Sequence, residues 1–122
     1  MDNTSTSHPF APIRVNSTPV SSEEHRFTLS LSDIDMVRVM DTFEQHERYG
    51  NGYGWADVAV QILRTQLAGI EDSIELDPEG GCLFAHSTDQ TAIEELARAL
   101  QYAFHNLDTL SELVANAPYE WD

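Results

Sequence analysis

Alternating hydrophobic and polar residues predict a pair of β-strands early in the chain. Phe27, Leu29 and Leu31 are separated by single polar residues, the spacing of a strand with one buried face. Ile13 and Val15 form a weaker run, which is the candidate hairpin partner. The segment between the two runs, NSTPVSSEE, is rich in proline, serine and glutamate, so we expect a long loop there.

A second strand pair is predicted in the stretch SIELDPEGGCLFAHS, because DPEGG has turn-forming residues and apolar residues alternate on both sides of it. Leu83 and Ala85 are expected on the opposite face from Cys82, Phe84 and His86. As the single cysteine, Cys82 cannot form an internal disulfide. Its place in this apolar run predicts a small buried side chain.

Helical spacing begins after the first strand pair, where Ser32 has the residue type of an N-cap. One apolar stripe is predicted to be buried, whereas Asp41 and Glu44 fall on a different, acidic face. We expect this helix to end near Tyr49, with Gly50 in the left-handed conformation that often closes a helix. The stripe comprises Met36, Val39, Met40 and Phe43.

Three further helices are predicted by the same criterion. One begins around Trp55 and ends at Gly69, one follows the capping residues STDQ, and a short one ends before Pro118. The predicted order is strand, strand, helix, helix, strand, strand, helix, helix. Since tight turns between strands imply antiparallel pairing, the fold class is α+β, with β-hairpins packed against about four helices.

The length of 122 residues suffices for one domain with a hydrophobic core. We expect residues 1–8 to be a disordered tail and residues 9–122 to form a single α+β domain. No stretch approaches the roughly eighteen apolar residues of a membrane span, and no apolar leader is present. With the single cysteine, these observations favour the cytoplasm.

The chain is strongly acidic, with 21 aspartates and glutamates against 6 arginines and lysines and a formal net charge of -15. Nucleic acid and anionic membranes are poor partners for such a chain, because a protein must bring cations to phosphates. A basic protein surface suits it better, since opposite charges speed association. Plain solubility is an equally good explanation of the acidity.

Motifs for catalysis, cofactors or metals are missing from the sequence. The segment GNGYG follows a predicted helix and lacks the lysine of a phosphate-binding loop. The five histidines have no metal-ligand spacing. Asp77 and Glu79 form a carboxylate pair, but a solvated turn gives no means of separating their pKa values. We therefore expect no cofactor, no metal and no enzymatic activity.

Two segments together resemble the immunity protein 51 family of bacterial polymorphic-toxin systems. They are the elbow, residues 50–55 (GNGYGW), and the hairpin tip, residues 77–81 (DPEGG), and the resemblance extends from about Ile13 to Leu113. The family has an acidic residue between the tyrosine and the tryptophan, where this chain has Gly54. The resemblance rests on Asn51, Gly52, Tyr53 and Trp55, and on Asp77, Pro78, Glu79, Gly81 and Phe84.

This resemblance implies a cytoplasmic antitoxin that binds and neutralises a cognate secreted toxin domain, without catalysis. Two alternatives remain: a small hydrolase or ADP-ribose-type enzyme using carboxylates near Asp77 with His86, and an acidic regulatory or adaptor module. Aromatic anchors usually dominate the affinity of an interface. The candidate partner-binding residues are Asp41, Glu44, Tyr49, Asn51, Tyr53, Asp77 and Glu79, and the candidate structural residues are Gly50, Gly52, Trp55 and Phe84.

Overall fold

Four antiparallel strands and five α-helices make up the part of the chain that the computed structural model describes, residues 9–122. The predicted tail, residues 1–8, lies outside the described residues. The strands are β1 (Arg14–Pro19), β2 (His25–Ser32), β3 (Glu75–Leu76) and β4 (Cys82–Ser87). They form one sheet in the order β1-β2-β4-β3, so the two predicted hairpins join through β2 and β4. The α+β prediction is confirmed.

The prediction of a long loop between β1 and β2 is wrong. The two strands stay paired as far as Pro19 and His25, and only residues 20–24 make the turn. Val20 and Ser21 close it by donating their backbone N–H groups to the carbonyl of Glu24. Proline is tolerated at Pro19 because β1 is an edge strand, where one side of the backbone has no ladder to complete.

The sheet has one buried and one open face. Leu29 pairs with Ala85 and Leu31 with Leu83, and all four side chains are buried. Cys82 lies on the other face, half-buried, so the prediction that it is fully buried is wrong. The reason is register, because moving by one residue along a strand exchanges its faces.

The first predicted helix is broken into three pieces: α1 (Asp33–Met36), a 3₁₀ turn (Val37–Val39) and α2 (Met40–Glu44). Ser32 occupies the N-cap position, but its side chain makes no capping hydrogen bond within the described residues. The left-handed residue is Glu47, with φ of 58°, and no glycine within residues 9–122 has a positive φ. The prediction for Gly50 is therefore wrong, and the chain reverses three residues earlier.

The remaining helices are α3 (Gly52–Gln66), α4 (Gln90–His105) and α5 (Leu107–Asn116), with a 3₁₀ segment, Ala68–Ser73, between α3 and β3. Side-chain caps fix two helix starts: Asn51 accepts from the N–H of Gly54 at 3.0 Å, and Asp89 from that of Ala92 at 3.2 Å. Helix α3 ends three residues before the predicted Gly69. No helix among residues 9–122 is long and apolar enough to cross a bilayer.

The core lies between the sheet and helices α3, α4 and α5, and Trp55 is fully buried in it. Its ring lies 5.3 Å from that of Phe43 and 6.3 Å from that of Phe104, measured between centroids. The indole N–H of Trp55 has no hydrogen-bond partner among the described residues. The side chain of Trp55, the last residue of the elbow, is therefore held by packing alone.

Candidate functional site

The elbow and the hairpin tip, 22 or more residues apart in sequence, lie against each other in the structure. Gly52 donates its backbone N–H to the carbonyl of Gly80 at 3.1 Å. A Cβ atom on Gly52 would overlap the carbonyl oxygen of Glu79 and lie 2.6 Å from that of Cys82. The turn of one motif therefore rests on the first residue of α3, and only glycine permits that approach.

The elbow is also folded tightly on itself. A Cβ atom on Gly54 would overlap the carbonyl oxygen of Tyr49. One on Gly50 would lie 3.2 Å from both Cα of Met40 and the ring of Phe43. With this backbone, position 54 cannot carry a side chain unless the turn shifts.

The start of α1 completes the same surface. Asp33 donates its backbone N–H to the carbonyl of Gly81 at 3.0 Å, which ties the tip to the first helical turn. Helix α2 adjoins the elbow through Met40 and Phe43. Three segments from different parts of the chain thus meet: the residues following β2, the elbow and the hairpin tip.

The segments that meet here carry exposed aromatic and acidic side chains. Tyr49 is 73% exposed and Tyr53 36% exposed. Asp41 and Glu44 are exposed on α2, as are Asp77 and Glu79 at the tip. Asn51 is half-buried, because its side chain caps α3. The seven predicted partner-binding residues thus lie on α2, at Tyr49 just before the elbow, in the elbow and at the tip, while Phe84 lies half-buried on the open face of the sheet.

Burial raises the pKa of the Cys82 thiol, which lies where β4 leaves the hairpin tip. The negative charges of Glu79 and Asp33 raise this pKa further, while a hydrogen bond with the backbone of Leu31 lowers it. The thiol consequently stays protonated at neutral pH. A protonated thiol is a weak nucleophile, so this environment does not activate Cys82.

One geometric observation favours the enzyme alternative, because Asp77 and His86 lie near each other. Nε2 of His86 is 3.5 Å from the Asp77 carboxylate, and its Nδ1 is 2.9 Å from the hydroxyl of Thr28. Thr28 and His86 are direct partners in the β2–β4 ladder, so ordinary cross-strand pairing explains their contact. Among residues 9–122, no group of three or more His, Cys, Asp or Glu residues is arranged to hold a metal.

A buried ion pair beside the elbow was not predicted. Arg48 and Asp57 are both almost completely buried, and their charged groups lie 3.9 Å apart. Both bind the C-terminal strap, residues 117–122, which has no helix or strand. Residue patterns do not reveal this pair, because charged residues at the end of one predicted helix and inside the next normally face solvent.

Comparison with known proteins identified one family. The family model described as Immunity protein 51 matches residues 19–118, which include the elbow, the hairpin tip and most of the sheet. Neither the curated proteins nor the solved structures contained a match to the chain.

Proposed function

The chain belongs to the immunity protein 51 family, and from this premise we propose that it binds a cognate toxin domain and blocks it without chemistry of its own. The binding surface in this proposal consists of the elbow, the hairpin tip and the outer side of α2. The partner is a toxin domain with a basic surface, met in the cytoplasm.

The observation that carries the proposal is the contact between the elbow and the tip. Gly52 and the carbonyls of Glu79 and Gly80 hold the two segments together, so the tyrosines and carboxylates around them are presented from a rigid base. A surface already in its bound shape loses less conformational entropy on association. Such preorganisation suits an inhibitor.

The two kinds of side chain have different roles in binding. Carboxylates such as Asp41 and Glu79 are exposed, so they mainly accelerate the encounter with a basic surface. Tyr53 is about two thirds covered and better fixed, which is the setting of an anchor whose loss accelerates dissociation.

Kinetic measurements with the toxin domain encoded beside this gene, inactivated in its own active site, test the proposal. The association rate should fall as salt rises, because the Debye length shrinks from about 30 Å at 0.01 M to about 8 Å at 0.15 M. Asp41→Arg with Glu79→Arg should lower the association rate about tenfold at low salt. Tyr53→Ala should mainly raise the dissociation rate.

Matched controls come from elsewhere in the chain. Glu23 and Glu24 are exposed in the β1–β2 turn, at the opposite end of the sheet from the tip. Glu23→Arg with Glu24→Arg makes the same change in net charge and should affect association much less. If both pairs lower the rate equally, net charge alone is responsible and the surface is misassigned. If the neighbouring toxin domain does not bind, the proposed function itself is wrong.

The enzyme alternative is tested separately, with purified protein and panels of phosphoesters, nucleotides, ADP-ribosyl conjugates and peptides. We expect no turnover. Reproducible turnover that Asp77→Asn or His86→Ala abolishes would make the Thr28–His86–Asp77 group a catalytic site and overturn the proposal of a purely binding protein.

A further inference from the structure

We infer that the C-terminal strap extends the toxin-binding surface, with Tyr119 and Trp121 as additional contacts for a basic partner. The inference rests on the proposed function. It concerns a segment that lies outside the two motifs of the family resemblance and mostly beyond the matched residues 19–118, and it gives the buried Arg48–Asp57 pair a role.

The strap is held through its backbone. One carboxylate, that of Asp57, accepts hydrogen bonds from three consecutive N–H groups, those of Glu120 at 3.0 Å, Trp121 at 2.9 Å and Asp122 at 3.1 Å. The guanidinium of Arg48 donates to the carbonyl of Pro118 at 2.9 Å and to that of Ala117. An irregular segment at the end of a chain usually frays unless it is tied down in this way.

A buried ion pair is an inefficient way to gain stability. Removing both charges from water costs much of what their attraction gains, and apolar residues of similar size often stabilise a core equally well. The Arg48–Asp57 pair instead fixes the path of residues 117–122, because both side chains hydrogen-bond to the main chain of the strap. The side chains of Tyr119 and Trp121 remain 67% and 42% exposed.

The strap runs beside the elbow. Arg48 directly precedes Tyr49, and its guanidinium lies 3.7 Å from the centre of the Tyr119 ring. Asp57 follows Tyr53 by one turn of α3, so the strap crosses the helix just beyond that tyrosine. Of the five exposed tyrosines and tryptophans within residues 9–122, three therefore belong to the elbow or the strap, a fourth, Tyr49, directly precedes the elbow, and the fifth, Tyr102, lies on α4.

This clustering indicates the chemistry of the occupant. Exposed aromatic rings among carboxylates suit a protein surface carrying arginine and lysine, whose cations stack on rings and pair with acids. Within the strap, Glu120 is already paired with Arg64, so its charge is partly satisfied. The strap thus contributes mainly its rings, while the tip and α2 contribute the carboxylates Asp77, Glu79, Asp41 and Glu44.

The test compares Tyr119→Ala with Trp121→Ala, as a double variant, against Tyr102→Ala as the control. The probe is the inactivated toxin domain encoded beside the gene. We expect the double variant to raise the dissociation rate at least tenfold and the control to change it less than twofold. Urea unfolding of both variants checks that the fold is kept.

A second variant examines the ion pair itself. Arg48→Met with Asp57→Leu removes both charges together, so neither is left buried alone, and the fold should remain stable. Released from its anchors, the strap should no longer present its rings, and the dissociation rate should rise as in the aromatic variant. Wild-type kinetics in both variants would refute the inference while leaving the proposed function intact. If the wild-type protein fails to bind the toxin domain, both are wrong.

Discussion

Replacing Gly52 with alanine should destabilise the protein strongly, although alanine is normally the better helical residue. In an exposed helix interior, glycine to alanine gains about 0.5–1 kcal/mol. At Gly52 the added methyl group would overlap the carbonyl oxygen of Glu79 and lie 2.6 Å from that of Cys82. Both obstacles are backbone atoms, so the hairpin tip must move away from the elbow.

The cost follows from what that movement disrupts. Overpacking of this kind costs about 1–3 kcal/mol. The hydrogen bond from Gly52 to Gly80 is lost with it, and a typical hydrogen bond contributes about 1 kcal/mol. After the intrinsic preference for alanine is subtracted, we expect a net loss of about 2–3 kcal/mol in the free energy of unfolding.

Urea denaturation followed by circular dichroism measures this loss. With a slope of about 1.5 kcal/mol/M, the midpoint should fall by roughly 1.3–2 M. Gly69→Ala is the matched control, because nothing lies within 4 Å of its Cβ position. It should leave the midpoint unchanged or raise it slightly. A Gly52→Ala protein as stable as the control would refute the close contact between the elbow and the tip.

Three further predictions concern the core, the thiol and the ion pair. Trp55→Ala should lower the free energy of unfolding by about 3–5 kcal/mol. In a Trp121→Phe background, the fluorescence emission of Trp55 should be that of a buried indole, and an emission maximum typical of a solvent-exposed indole would contradict this. Because burial raises the Cys82 pKa, iodoacetamide at pH 8 should alkylate the native thiol more slowly than the urea-unfolded one. Glu79→Gln removes a negative charge that raises this pKa, so it should accelerate the native reaction. Equal native and unfolded rates would contradict the raised pKa. Asp57→Asn leaves Arg48 buried without its counter-charge and should destabilise by about 3–5 kcal/mol, measured by urea unfolding, with Glu112→Gln on the surface of α5 as control.

Local patterns in the sequence account for the elements whose burial is simple. Helices α3 and α4 have continuous apolar stripes, and β2 and β4 alternate strictly, so periodicity places them well. The first helix is different. Its stripe runs through Met36, Val39 and Phe43, but three short pieces with a 3₁₀ turn also bury these residues, and spacing alone does not separate the two cases.

Local sequence patterns do not predict contacts between residues that are distant in the chain. No turn signal reports that β2 pairs with β4, or that Gly52 lies against Glu79, because these contacts depend on how the completed elements pack. Arg48 and Asp57 were missed for another reason. Charged residues are expected at the surface, and only the path of the C-terminal strap makes their burial possible.

The pairing of β2 with β4 has a consequence for how the chain folds. Its residue pairs are between 50 and 60 positions apart, so the entropy of closing a loop of nearly half the chain opposes formation of the sheet's centre. Folding should accordingly be slower than in a helical bundle of the same size. On the ribosome the sheet cannot close until Ser87 has emerged, and until then the first hairpin has a bare edge. A chain divided between α3 and β3 would yield two fragments, each carrying one hairpin, that complete the sheet only by associating.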